Sequence, residues 1–176
     1  MPRQALLIVD MINTLDFPEG KNLLRHALPV AETIQKYKMK LKKRAVPVIY
    51  VNDHFGNWRS SWEEVYNHCT QPEFLGAKLS HLLKPQDDDY FVLKPKHSGF
   101  YSTNLDVLLD DLKVDELILT GIAGNICVLF TANDAYMRGF KIHVPANCIA
   151  SNSTKYNEYA IRQLHDVFKI RTAKVK

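Results

Sequence analysis

Apolar residues along this chain fall into two kinds of stretch, and the two kinds alternate. Ala5, Leu6, Leu7, Ile8 and Val9 form an uninterrupted apolar run that stops at Asp10. Similar runs occupy 46–51, 90–93, 117–120 and 141–144, and a last apolar-rich segment over 168–172 closes the chain. Between them, apolar residues recur at helical spacing. Val30, Ile34, Tyr37 and Leu41 do so within 23–44; Leu105, Leu108, Leu109 and Leu112 follow a start at Ser102 or Thr103. A further helix runs from an N-cap at Asn125 to about 138, and a last one over 154–165 turns Ala160, Ile161 and Leu164 inward. The stretch 52–80, with Trp58, Trp62 and Tyr66, is read as partly helical. Continuous strands alternating with helices predict an α/β fold: a three-layer, doubly wound, mostly parallel sheet of about six strands with helices on both faces. No repeat, low-complexity tract or linker interrupts the pattern, so 1–176 is read as a single domain.

That fold class has a consequence for chemistry. In open α/β sheets, ligands bind beyond the carboxyl ends of the strands. Asp10, the run Asn52-Asp53-His54, Lys94 and the turn Gly121-Ile122-Ala123-Gly124-Asn125-Ile126-Cys127 all follow strand ends, and are predicted to converge on one rim. Cys127 falls in the first turn of its helix, where backbone N–H groups favour a thiolate. A thiol hydrolase needs a base for the nucleophile, an acid for the leaving group and donors for the oxyanion. Asp10 can take and return the proton, and a nearby lysine ammonium would lower the thiol pKa.

Composition narrows the reading without changing it. The chain is 46% hydrophobic and 24% charged, values of an ordinary globular domain. No apolar run approaches the roughly 20 residues of a membrane helix, so no membrane association is expected. Met1, Pro2, Arg3 and Gln4 lead straight into the first strand, so no signal peptide is expected. Cys69, Cys127 and Cys148 show neither a disulfide framework nor zinc spacing. Together these point to the cytoplasm. Of the net charge of +4, much lies in Lys36, Lys38, Lys40, Lys42, Lys43 and Arg44. The apolar residues interleaved there make this the solvated basic face of an amphipathic helix, with its cations near the C-terminal dipole. No nucleic-acid partner is expected.

Three segments in order resemble the isochorismatase-like cysteine hydrolases, the superfamily that includes nicotinamidase and N-carbamoylsarcosine amidohydrolase. They are Leu6-Leu7-Ile8-Val9-Asp10-Met11, the stretch Leu93-Lys94-Pro95-Lys96-His97-Ser98-Gly99-Phe100-Tyr101-Ser102-Thr103-Asn104-Leu105, and Gly121 to Cys127 followed by Val128 and Thr131-Ala132. The resemblance implies an Asp–Lys–Cys triad at Asp10, Lys94 and Cys127. Lys94 is preferred to Lys96 because it directly follows the strand. It also implies a cis peptide between Ile122 and Ala123, turning the amides of Ala123 and Cys127 toward an oxyanion, and a homo-oligomer, dimer or tetramer.

The chain departs from the family pattern at Gly124, where many relatives carry Thr or Ser, and around Asn13 and Phe17, the nearest matches to an early amide–phenylalanine motif. Relatives that bind a divalent metal do so through Asp-x-His, whereas Asp53 and His54 are adjacent and point opposite ways on an extended segment. No metal and no cofactor are therefore expected, and nicotinamide is disfavoured. Phe17, His54, Trp58 and Phe100 are the candidate substrate-binding residues, with Trp62 and Tyr101 equally suited to packing. The expected activity is metal-independent cleavage of a C–N bond in a small amide or carbamoyl-type substrate through an acyl-enzyme. The alternatives are a redox-responsive or small-molecule-binding protein on the same fold, and an isochorismatase-type vinyl ether hydrolase. Nucleotide binding ranks last, because Asp10-Met11-Ile12-Asn13 stands where a glycine-rich turn would be needed.

Overall fold

The structure, a computed structural model, describes residues 3–176. Met1 and Pro2, where the signal-peptide reading begins, lie outside the described residues. The elements run β1 (Gln4–Val9), α1 (Gly20–Lys42), β2 (Val48–Asp53), α2 (Trp62–Cys69), α3 (Ala77–Leu82), β3 (Tyr90–Lys94), α4 (Leu105–Asp111) and β4 (Glu116–Ile122). A wide helical turn, Gly124–Val128, leads into α5 (Leu129–Met137), followed by β5 (Lys141–His143), β6 (Ile149–Ala150) and α6 (Thr154–Arg162). One six-stranded sheet has the order β3-β2-β1-β4-β5, with β6 pairing to the end of β4, and every pairing is parallel.

The apolar runs of β1 explain the layering. Successive strand side chains point to opposite faces. Ala5, Leu7 and Val9 pack with Leu105 and Leu109 of α4 and with Val128, Ala132 and Ala135 of the helix after β4. Leu6 and Ile8 pack on the other side with Leu23, Ala27, Ala31, Ile34 and Leu41 of α1. All five of these apolar residues of β1 are fully buried. At about 1.5–3 kcal/mol for each fully buried large apolar side chain, these two faces anchor β1 at the centre of the sheet. The α/β, three-layer, doubly wound reading is the observed fold.

Four details differ from the sequence reading. The segment 168–172 is not a strand; it follows a wide turn, Gln163–Val167, and among the described residues its backbone forms one bridge to the sheet, Arg171 with His143. The strand that completes the sheet is instead the two-residue β6, too short to show any periodicity. Lys38 is not on a solvated face: it is 3% exposed, with Nζ donating to the Tyr50 hydroxyl (3.0 Å) and paired with the Asp89 carboxylate. Asp89 comes from the acidic turn before β3, so that turn clamps the third strand to α1. Asn125 is not an N-cap, because the wide turn begins one residue earlier with Ala123 in the capping position.

Candidate active site

β1 delivers Asp10 to the rim with φ of 51°, a left-handed conformation that aspartate tolerates better than most residues. The turn aims its carboxylate across the strand ends. Oδ1 accepts from the Asp53 amide (2.8 Å) and Oδ2 pairs with Lys94 Nζ (2.8 Å). The parallel register sets this up, since Asp53 at the end of β2 is the partner of Lys94 at the end of β3. Lys94 is fully buried, and its Nζ also donates to the Lys96 carbonyl (3.0 Å) and lies 3.7 Å from Cys127 Sγ. Lys96 itself is exposed and contributes only that carbonyl.

Cys127 reaches the same point from the other half of the sheet. The next-to-last residue of β4 is Gly121, whose φ is +116° and whose Cα approaches β1 so closely that a Cβ would sit 2.1 Å from the Val9 carbonyl. The cis peptide between Ile122 and Ala123 follows. The wide turn then forms as the Ala123 carbonyl accepts from both the Ile126 and Val128 amides (3.0 and 3.2 Å). Sγ is thereby brought to the Asp10–Lys94 pair, 3.7 Å from Lys94 Nζ. The space a side chain at Gly124 would need is taken by Asn157 Oδ1, 2.6 Å from the ideal Cβ position, and by Ser151 Oγ at 3.1 Å. Ser151 also accepts from the Asn125 amide (3.1 Å), so a hydroxyl just after β6 occupies the space beside Gly124.

The electrostatics correct one expectation. Burial, followed by the facing Asp10 carboxylate, pushes the Cys127 thiol up despite the opposing pull of Lys94. Burial likewise raises the Asp10 carboxyl, against the pull of Lys94 and the hydrogen bonds from Cys127 and Asp53. Burial opposes the charge on Lys94, but Asp10 and Cys127 outweigh it and hold the ammonium above its ordinary value. The Cys127 thiol therefore rests protonated, beside a Lys94 ammonium paired with Asp10. Cys69 and Cys148 are buried, and desolvation lifts each to about 12, so both are inert packing residues.

Asp10 and Cys127 sit at a cavity of about 540 Å³. Its walls include Phe17, Phe55, Ile122, Ala123 and Ile126, with Asn13, Glu19, Asp53, His97 and Asn152 as polar groups. Of the candidate binding residues, Phe17 lines this cavity. Phe100 does not: it is 4% exposed and packs in the core against Phe140 and beneath the Arg138 guanidinium. Trp58 does not either; it is 77% exposed and leans on the His54 ring, 4.5 Å away. Trp62 packs on Phe91 at a tilt, and Tyr101 is exposed. His54 is buried on the far side of β2, facing a separate small hollow with Glu64 and His68. Its Nδ1 accepts from the Gly56 amide (3.0 Å), and its Nε2 has no partner among the described residues.

Asp53 turns the other way, toward Lys94 (3.9 Å). The adjacent pair thus diverges, as the alternation of an extended segment requires. Among the described residues, no three His, Cys, Asp or Glu side chains are grouped to hold a metal ion. His97 was missed by sequence reasoning. Its Nδ1 lies 3.8 Å from Cys127 Sγ, and its ring packs on Phe130 at 5.5 Å. The only signal was its place in the loop between Lys94 and Gly99.

A parallel α/β sheet carrying an aspartate, a lysine and a cysteine on one rim defines the class, and residues 4–174 match the Isochorismatase domain. The chain belongs to the isochorismatase family. It is 45% identical over 164 residues, 93% of this chain and 90% of the relative, to the uncharacterized isochorismatase family protein YaaI of Bacillus subtilis (strain 168). It is 28% identical to a ureidoacrylate amidohydrolase of Yersinia enterocolitica, over 75% of this chain and 68% of that one. Among solved structures, N-carbamoylsarcosine amidase from Thermoplasma acidophilum superposes with a TM-score of 0.71 at 26% identity, covering 99% of this chain and 96% of the other. Two of these three are named as an amidohydrolase and an amidase, and the chain is an isochorismatase-family hydrolase. Among the described residues, no helix is long and apolar enough to cross a membrane.

Proposed function

We propose that this protein is a metal-independent cysteine hydrolase that cleaves a C–N bond in a small amide or carbamoyl compound. One observation carries the reading: Asp10 and Lys94 meet the Cys127 thiol at the floor of a small, largely apolar cavity. The thiol proton passes to Asp10, whose raised carboxyl suits it to hold a proton, while Lys94 stays charged and steadies the thiolate. The thiolate attacks the substrate carbonyl, and the amides of Ala123 and Cys127 receive the oxyanion. Asp10 returns its proton to the leaving nitrogen, the C–N bond breaks, and a thioester remains for water to hydrolyse.

The cavity volume suits a small molecule, and its apolar walls suit an uncharged acyl portion. The divergence of Asp53 and His54 supports chemistry without a metal. We further propose a dimer or tetramer, since α5 leaves Phe130, which packs on His97, and Met137 exposed.

The test is a panel of small amides and carbamoyl compounds presented to the wild type and to Cys127→Ala, read by product formation and intact mass. A covalent adduct and turnover in the wild type, both absent from the variant, are the expected result. Normal turnover by Cys127→Ala would overturn the proposal.

A further inference from the structure

The geometry points to His97 as a second catalytic residue of this site: the base that activates water in the hydrolysis of the Cys127 thioester. The inference rests on the cysteine-hydrolase reading above and assigns its second half-reaction.

Sγ of Cys127 is flanked on two unlike sides. Toward the core stand Lys94, fully buried, and Asp10, 5% exposed. Both carboxylate oxygens of Asp10 are engaged, by the Asp53 amide and by Lys94. Toward the cavity mouth stands His97, an exposed residue whose Nδ1 is 3.8 Å from Sγ and which makes no other hydrogen bond among the described residues. Water reaches a thioester on Sγ through the cavity that both Asp10 and His97 line, and of the two His97 is the exposed one, with no hydrogen-bond partner but Sγ among the described residues. Imidazole is also the side chain best matched to proton transfer near neutral pH.

The position of His97 is built. The loop that carries it is tied behind by the Lys94 ammonium, which donates to the Lys96 carbonyl. It is tied ahead by the Gly99 amide, which donates to Thr131 Oγ (3.0 Å), and by the contact of Ser98 Oγ with the Asp134 carboxylate. The Thr131 hydroxyl in turn donates to the carbonyl of Cys127 (2.7 Å). One side chain thus fixes the nucleophile's backbone and the histidine's loop together. Packing of the His97 ring on Phe130 completes the support.

In the proposed step, a water proton passes to a ring nitrogen of His97 as the water oxygen bonds to the thioester carbonyl carbon. The tetrahedral intermediate collapses, the C–S bond breaks, and the carboxylic product leaves. The Cys127 thiolate is then reprotonated from the His97 imidazolium, so each turnover returns thiol and neutral imidazole.

p-Nitrophenyl acetate separates the two halves, because its leaving group departs without an acid. A burst of nitrophenolate reads acetylation of Cys127; the slow phase and intact mass read its hydrolysis. For His97→Ala and His97→Gln, the expected result is an unchanged burst, a slow phase reduced on the order of 10²-fold, and acetyl-enzyme that accumulates. Glutamine keeps a hydrogen-bonding end but is no base. If it deacylates at the wild-type rate, His97 only positions groups and the inference falls. A wild-type slow phase in the alanine variant, or equal slowing of both phases, overturns it as well and leaves the triad intact. If the wild type carries no acetyl group on Cys127, the cysteine-hydrolase reading itself fails and takes this step with it.

Discussion

Replacing Lys94 with methionine removes the ammonium facing Asp10 while filling nearly the same space. Both partners are out of water, Lys94 fully and Asp10 to within 5%. Removing one member of such a pair costs about 3–5 kcal/mol, because the survivor is left buried and uncompensated. Asp10 keeps one donor, the Asp53 amide at 2.8 Å, which places the expected loss near the lower end, about 3 kcal/mol. For a chain of this size, that lowers the thermal midpoint by about 6–12 °C. The loss also has a pH signature. Burial already lifts the folded Asp10 carboxyl above its ordinary 3.8, and loss of Lys94 lifts it further. An acid raised on folding costs nothing while protonated and destabilises progressively as pH rises through its folded pKa. The deficit of Lys94→Met is therefore greatest at about pH 8 and shrinks toward about pH 4. Urea unfolding of wild type, Lys94→Met and the Lys94→Met, Asp10→Asn double variant at both pH values measures this, and the double variant is expected to recover most of the loss. Wild-type stability in Lys94→Met, or a deficit equal at both pH values, refutes the electrostatic account.

Asp10→Asn keeps a residue that tolerates positive φ but can no longer hold the thiol proton, so amide turnover should fall about 10²–10⁴-fold with a native circular-dichroism spectrum. Retention of more than about a tenth of the rate argues against Asp10 as the base. Gly121→Ala puts a Cβ 2.1 Å from the Val9 carbonyl at a φ of +116°, and should destabilise by about 4 kcal/mol or more in urea unfolding. Exhaustive dialysis against a chelator should leave amide turnover unchanged, and activity restored only by added metal would contradict the reading of Asp53 and His54.

The parts of the site that the sequence made legible are those fixed by a strand end. Asp10, Lys94 and Cys127 each follow an apolar run, and parallel strands bring such ends to one rim whatever their separation along the chain. Lys94 was separable from Lys96 for the same reason: one terminates β3, the other lies in the loop. Side chains placed by irregular backbone were not legible. Phe55 enters the cavity from a residue with φ of 52°, and Ile126 enters from the wide turn after β4; no periodicity records either direction. His97 belongs with them. Phe100 shows the converse error, since the bend at Ser98 and Gly99, pinned to α5, turns its ring into the core instead of the cavity.

The proposed mechanism starts from a resting thiol, and the electrostatics supply a reason for that. A cysteine at a helix start beside a lysine suggests a preformed thiolate, but burial and the Asp10 carboxylate oppose that charge more strongly. A thiolate at rest would put two anions, Cys127 and Asp10, against one ammonium in a desolvated cluster. Moving the proton from Cys127 to Asp10 avoids this. Before transfer, the Lys94 ammonium pairs with the Asp10 carboxylate at 2.8 Å; after it, the same ammonium faces the thiolate at 3.7 Å. The buried charge is relocated without being increased, so the burial that disfavours a lone thiolate does not oppose the transfer to the same degree. In the proposed mechanism Lys94 therefore serves two alternating anions, and its complete burial keeps water from screening either pairing.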